Sequence, residues 1–233
     1  MGKKGLFKKE VFLNSNPKST FSESINSIKT NLHFSDLNGD KKVILITSSN
    51  PGEGKSFITA NLAASFTANN KKVLIIDADL RQGRQNRIFR FKNDPSYGYS
   101  NMIVNVNSYD FDIRNYIKKT TIPRLYVISR GQTPPAPLEL LSSSNNRRLL
   151  NMLKEEFDYI FIDCPPVLVS DALVLSKYSD QNIIVVAQNI TKIESLNEVK
   201  LMFEKANSKI TGVILNKADK KSKKYGHYGY YTE

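Results

Sequence analysis

A glycine-containing segment that ends in Gly-Lys-Ser carries the clearest chemistry in this sequence. It follows an apolar, β-branched run at residues 43–47 and precedes apolar residues at helical spacing, so it joins a strand to a helix. Such a loop lets the backbone approach a phosphate closely, and the start of the helix turns N–H groups toward the anion. Lys55 would add a charge near the β- and γ-phosphates, and the Ser56 hydroxyl is a candidate Mg²⁺ ligand. The residues predicted to bind nucleotide here are Ser49, Asn50, Pro51, Gly52, Glu53, Gly54, Lys55, Ser56 and Phe57.

The match to a phosphate-binding loop is imperfect at its first position. The usual pattern begins with glycine, and Ser49 stands there instead. The alternative is a glycine-rich turn that only opens a helix. A Pro-Gly lead-in and Gly-Lys-Ser behind a buried strand favour a nucleoside triphosphate site.

Acidic residues follow two further apolar runs. Asp77 and Asp79 come after residues 73–76, and Asp163 comes after residues 159–162. Ligands of an open parallel sheet bind beyond the carboxyl ends of its strands, where such carboxylates can hold Mg²⁺ or accept a proton from a hydroxyl. Each could instead cap the segment that follows it. The candidate catalytic residues are Lys55, Asp77, Asp79 and Asp163, and the candidate metal ligands are Ser56, Asp77 and Asp163.

One amide side chain follows the last apolar run. Asn216 is a candidate for contact with the adenine edge of a nucleotide, and a turn-forming asparagine is the alternative.

Short apolar runs alternate with amphipathic segments along most of the chain, which predicts an α/β fold. The pattern favours a P-loop NTPase with a mostly parallel, doubly wound sheet and helices on both faces. Residues 82–123 predict only short helices and loops. The predicted strands are 43–47, 73–76, 124–128, 159–162, 182–187 and 210–215, and helices are predicted at 19–35, from the phosphate loop to about residue 69, at 145–156 and after residue 187.

Composition narrows the class of protein. The chain has 233 residues, a net charge of +12, one cysteine and two histidines, which excludes an internal disulfide and makes a histidine-rich metal site improbable. It has no uninterrupted apolar run long enough to span a membrane, so we expect a cytoplasmic protein. We predict an arm at 1–18, one P-loop domain at 19–217 and a flexible tail at 218–233.

Tyrosines and lysines are concentrated in that tail. Four of the eleven tyrosines lie in the last nine residues, behind a run of lysines. They could be phosphoacceptors on a flexible tether, stack on single-stranded nucleic acid, or pack back onto the domain. The candidate acceptors are Tyr225, Tyr228, Tyr230 and Tyr231.

Taken together, these segments resemble the bacterial tyrosine kinases of capsule and exopolysaccharide synthesis, of the separate cytoplasmic type. The resemblance covers nearly the whole chain from about residue 17. Residues 49–56 resemble the family's Walker A loop, residues 75–81 its second acidic motif, and residues 160–166 its Walker B motif. Residues 131–141 and the tyrosine-rich end resemble further family segments.

The resemblance implies an ATP- and Mg²⁺-dependent protein-tyrosine kinase that autophosphorylates the tail tyrosines in trans within a homo-oligomer. It also implies a transmembrane activator of polysaccharide synthesis, whose cytoplasmic tail completes the site and recruits the kinase to the inner face of the plasma membrane. A cognate tyrosine phosphatase would remove the phosphates by hydrolysis. Nucleic acid is not expected as a partner. The alternative is a nucleotide-switch ATPase, related to septum-site and partition ATPases, that positions cargo or DNA.

The chain departs from the family in its first helix. The family pattern there is Glu-x-x-Arg-x-x-Arg-x-Asn and serves self-association. The corresponding residues are Glu23, Asn26, Lys29 and Asn31. Because a lysine cannot offer the bidentate fork of an arginine, we expect weaker or differently arranged self-association.

Overall fold

The computed structural model describes residue 11, residues 19–36, 39–92 and 94–219. Most of the predicted arm therefore lies outside the described residues, as do the last 14 residues of the predicted tail and its four candidate acceptor tyrosines. No helix within the described ranges is long and apolar enough to cross a membrane.

Within these ranges, seven strands form one sheet, in the order β3-β4-β2-β5-β1-β6-β7. Every pair of neighbours is parallel except β3 and β4. The six predicted strands are all present, with bounds that differ by two residues at most. The strands are β1 (Val43–Ser48), β2 (Val73–Asp77), β3 (Lys118–Lys119), β4 (Leu125–Ile128), β5 (Tyr159–Asp163), β6 (Gln181–Ala187) and β7 (Gly212–Asn216).

The helices follow the predicted alternation with strands. The first begins at its cap, where the Ser19 hydroxyl accepts a hydrogen bond from the Ser22 N–H at 3.1 Å. The helices are α1 (Thr20–Phe34), α2 (Lys55–Phe66), α3 (Gln85–Ile88), α4 (Tyr99–Asn105), α5 (Pro137–Ser142), α6 (Ser144–Glu156), α7 (Asp171–Leu175) and α8 (Ile193–Lys205).

Two hydrophobic cores lie on opposite faces of the sheet. Helices α1 and α2 cover one face, where Ile25 and Leu62 pack with alternate residues of the strands. Helices α4, α6 and α8 contribute to the core of the other face, with Leu149 and Phe203 among its buried residues. Because every residue of β1 is buried, this strand lies between two packed layers. Since β1, β2 and β5 are parallel neighbours, their carboxyl ends meet at one edge of the domain.

Candidate active site

The phosphate-type loop joins β1 to α2, and two glycines give it its shape. Gly52 and Gly54 have φ of 83° and 97°, a conformation that other residues rarely adopt. A Cβ atom added to Gly54 would lie 2.2 Å from the Asn216 side-chain nitrogen. Lys217 Nζ donates to the Gly52 carbonyl at 2.7 Å. Glycine at position 54 is thus required both by the backbone and by the close approach of β7.

The side chain of Glu53 stabilises the loop through hydrogen bonds. One carboxylate oxygen accepts from the Asn50 N–H at 2.9 Å, and the other accepts from the Thr191 hydroxyl. The Asn216 amide donates to the Glu53 carbonyl at 2.8 Å. Glu53 and Asn216, both predicted to bind nucleotide, therefore make contacts within the chain that hold the loop. Nucleotide contact by either stays a prediction, and no motif pointed to Thr191.

The four candidate catalytic residues lie together at the carboxyl edge of the sheet. Lys55 Nζ lies 3.0 Å from an Asp79 oxygen and 3.7 Å from an Asp163 oxygen. Asp77 is the direct partner of Asp163 across the β2–β5 pair. All three carboxylates are buried. One lysine thus faces a cluster of acids directly beside the phosphate-type loop.

Burial and crowding of these charges shift their proton affinities. Burial, followed by the charge of Asp163, raises the pKa of Asp77 well above its ordinary value. Burial also raises the pKa of Asp163, although Lys55 and hydrogen bonds from Gln85 and Ser56 oppose it. For Lys55, burial lowers the pKa, but Asp163 and Asp79 outweigh it and raise the pKa overall. Asp77 and Asp163 are therefore stronger bases than exposed aspartates.

A buried glutamine connects these groups, and the sequence reasoning missed it. The Gln85 side-chain nitrogen donates to Asp163 at 2.8 Å and to the Ser56 carbonyl at 3.2 Å. Its backbone N–H donates to Asp77 at 2.9 Å. The second oxygen of Asp77 and the Lys55-facing oxygen of Asp163 have no hydrogen-bond partner among the described residues. Each of these two oxygens could accept a hydrogen bond from a bound group or contact a bound cation.

A cavity of about 190 Å³ opens in front of Lys55 and Asp79. One wall is apolar and contains Pro165, Pro166 and Leu168, and Arg81 and Arg84 also line the cavity. A larger depression, of about 760 Å³, lies beside residues 177–182 near the amino-terminal ends of β6 and β7. The smaller cavity is the candidate active site, because it alone of these two adjoins the lysine and the acids.

Two other groups of predicted site residues lie on the α1–α2 side of the domain. The Phe57 ring packs on Phe21 of α1, with 5.2 Å between ring centroids. Lys29 Nζ donates to the Ser65 carbonyl at 2.9 Å and lies 5.7 Å from the centre of the Phe66 ring. The remaining residues predicted for self-association are exposed, namely Glu23, Asn26 and Asn31. Lys29 is thus engaged by its own chain.

Comparisons with known proteins agree with this fold and site. The profile of one family, described as an AAA domain, matches residues 41–213. The putative tyrosine-protein kinase CapB of Staphylococcus aureus is 35% identical over 98% of this chain and 99% of its own length. The tyrosine-protein kinase ptk of Acinetobacter johnsonii is 39% identical over 87% of this chain, which spans only 27% of that longer protein.

A solved structure of a related protein has the same fold. The crystal structure of the chimerical protein CapA2B2 superposes with a TM-score of 0.83 and 33% identity, over 91% of this chain and 92% of that one. The sheet order, the glycine loop and the helix that begins at Lys55 define a P-loop nucleoside triphosphatase fold. Within that class, the chain belongs to the bacterial tyrosine-protein kinases.

Proposed function

We propose that this kinase uses Mg-ATP to phosphorylate its own carboxyl-terminal tyrosines and thereby regulates capsular or extracellular polysaccharide synthesis. The observation that carries the proposal is Lys55, held 3.0 Å and 3.7 Å from Asp79 and Asp163 at the phosphate-type loop. Membership of the tyrosine-kinase family supplies the acceptor chemistry. Phosphoryl transfer depends on positioning and charge neutralisation, which this set of groups can provide.

In this proposal each residue of the site has one role. The N–H groups of the loop and the Lys55 ammonium hold the β- and γ-phosphates. Ser56 and Asp163 would hold Mg²⁺, and the metal would neutralise developing charge on the phosphates. The donor set fits a hard cation because it consists of oxygen atoms. The Ser56 hydroxyl forms a hydrogen bond with Asp163, and one oxygen each of Asp77 and Asp163 lacks a hydrogen-bond partner among the described residues.

The transfer step needs a base beside the γ-phosphate. The tyrosine oxygen forms a bond to the γ-phosphorus, the bond to the β,γ-bridging oxygen breaks, and ADP leaves. Free tyrosine has a pKa of about 10, so a carboxylate that takes the hydroxyl proton assists the attack at neutral pH. Asp79 or Asp77 takes that role. We expect Asp79→Asn to abolish phosphate incorporation while ATP binding, measured by calorimetry, persists; normal incorporation would contradict the role of Asp79.

The acceptors come from a neighbouring copy of the chain. We propose that Tyr225, Tyr228, Tyr230 and Tyr231 of one copy enter the active site of another copy on the tail from residue 218. Residues 19–35 mediate assembly of the copies. The exposed Glu23, Asn26 and Asn31 support this use of α1. A transmembrane activator completes the site and holds the kinase at the cytoplasmic face of the membrane, and a tyrosine phosphatase resets it. The added phosphates offset the lysine run and loosen the assembly.

Mass spectrometry tests the proposal directly. The chain is incubated with Mg-ATP and a peptide from the cytoplasmic tail of its candidate activator, with Lys55→Met as a control. Phosphate on the tail tyrosines that is absent from the control supports the kinase and its acceptors. Bound ATP without phosphotyrosine, together with DNA-stimulated hydrolysis, would favour a nucleotide-switch ATPase instead.

A further inference from the structure

We propose that the catalytic cavity selects acceptor tyrosines that carry negative charge beside them, and that Arg84 is the residue that reads this charge. The inference rests on the proposed kinase function and specifies its substrate class. The shared chemistry of the acceptor is an anionic group close to the tyrosine, supplied either by a carboxylate or by a phosphate already added to a neighbouring tyrosine.

The first step is the charge balance of the cavity. Among the described residues, four charged side chains line it, namely Lys55, Asp79, Arg81 and Arg84. Lys55 forms an ion pair with Asp79 at 3.0 Å and, in the proposed function, holds the nucleotide phosphates, so its charge is not left for the acceptor. Arg81 Nε lies 3.6 Å from a buried oxygen of Asp171, which offsets part of its charge. Of the described residues that line the cavity, Arg84 is the cation whose charge remains uncompensated.

The second step is the state of the Arg84 side chain. It is exposed, and no hydrogen bond or ion pair of its guanidinium is found among the described residues. Arg84 immediately precedes α3, whose first residue, Gln85, is buried against the catalytic acids. The backbone of Arg84 is therefore fixed relative to the site, while its guanidinium can turn to a ligand.

The third step is the shape of the binding site. Pro165, Pro166 and Leu168 form an apolar wall, and Leu168 is 57% exposed. An aromatic ring packs well on such a surface. A guanidinium offers two parallel N–H donors to a carboxylate or phosphate, which a lysine cannot do. The apolar wall would contact the tyrosine ring. The arginines of the same cavity would contact an anion a short distance along the peptide.

The chain's own tail has this chemistry. Glu233 lies within three residues of Tyr230 and Tyr231. Each phosphate that is added brings a charge of about −1.5 to −2 and creates a new anionic neighbour for the next tyrosine. Early modification near the end of the chain would then favour the tyrosines that precede it.

The experiment uses peptides of residues 225–233 in which Tyr230 is the only unmodified tyrosine. All three peptides have an amidated end. The first keeps Glu233, the second carries Glu233→Gln, and the third carries Glu233→Gln together with phosphate on Tyr231. The other tyrosines are phenylalanine. Values of kcat/KM are measured with the full-length chain, Mg-ATP and the same peptide of the candidate activator. Kd is measured by fluorescence anisotropy without nucleotide.

For the wild-type chain, we expect both anionic peptides to exceed the neutral one about three- to ten-fold, with the phosphopeptide highest and the ratios smaller at high salt. Arg84→Gln should bring these ratios close to one, and Arg84→Lys should restore them partly. Arg147→Gln, which removes an exposed arginine that does not line the cavity, should keep the wild-type ratios. Equal ratios in the wild type and Arg84→Gln would overturn the inference.

The two proposals fail in different ways. If the wild type phosphorylates none of the peptides, the kinase function is contradicted, and the Kd ratios still test the charge preference. If the wild type phosphorylates all of them equally, the function stands and the inference is wrong. If only the phosphopeptide is preferred, phosphate rather than the Glu233 carboxylate is the source of the charge that Arg84 binds.

Discussion

Lys55→Met tests how much the lysine stabilises the acids around it. Lys55 Nζ lies 3.0 Å from Asp79 and 3.7 Å from Asp163, and its side chain is only 11% exposed. Methionine keeps the length of the side chain and removes its charge. Because removing one partner of a buried ion pair leaves an uncompensated charge, we expect the free energy of unfolding to fall by about 3 kcal/mol at neutral pH.

The loss should depend on pH, and its sign follows from the acids. In the folded chain, burial raises the pKa of Asp77 and Asp163 above their unfolded values. A carboxyl with a raised folded pKa destabilises the fold when it is ionised, and this penalty disappears as the pH falls toward the unfolded pKa. Without Lys55 the pKa of each rises further, so the loss caused by Lys55→Met should shrink as the pH falls from about 7.5 to about 5.5.

Lys71→Met is a matched control for this prediction. Lys71 Nζ also lies 3.0 Å from a carboxylate oxygen, that of Asp158, but its side chain is 49% exposed. An exposed ion pair contributes little to stability, so this variant should stay close to wild type at both pH values. Urea unfolding followed by circular dichroism measures all three proteins. Equal losses in the two variants, or a loss for Lys55→Met that does not shrink with acid, would refute the reasoning.

Two further predictions concern the parts that hold the site together. Gln85→Leu removes the 2.8 Å bond to Asp163, and we expect it to lower the free energy of unfolding in urea by about 2 kcal/mol, since the lost bond goes to a charged group. A variant as stable as wild type would contradict that contact. Gly54→Ala should destabilise more than Gly52→Ala, because both have positive φ but only the Cβ at position 54 meets Asn216. Asn216→Ala should partly rescue it, with a coupling of about 1 kcal/mol in a double-mutant cycle of urea midpoints, and additive effects would contradict the clash.

The sequence was sufficient to predict most of the sheet. Its central strands are fully buried on both faces, so each is a continuous apolar run that can be seen without any partner. The short edge strand β3 was not predicted, because Lys118 and Lys119 have no apolar pattern and pair only with β4. The short helices α5 and α7 were also missed, since five or six residues are too few to establish a period.

The closeness of three candidate residues could be predicted from their positions at a strand end or behind the loop that follows a strand. Lys55, Asp77 and Asp163 are close because parallel strands bring their carboxyl ends to one edge. Gln85 could not be found in this way. It lies eight residues beyond Asp77 in a segment without periodicity, and its contacts arise only because the chain turns back over the end of β2.

The burial of the acids argues that they are present for chemistry. Asp77 and Asp163 are direct neighbours on adjacent strands, almost fully buried, and each keeps one oxygen without a hydrogen-bond partner among the described residues. Apolar residues at these positions would stabilise the fold more, because an ionised group loses its hydration when it is buried. One lysine and one glutamine compensate only part of that loss. A bound cation would compensate the rest, which ties the stability of this edge of the sheet to occupancy of the site.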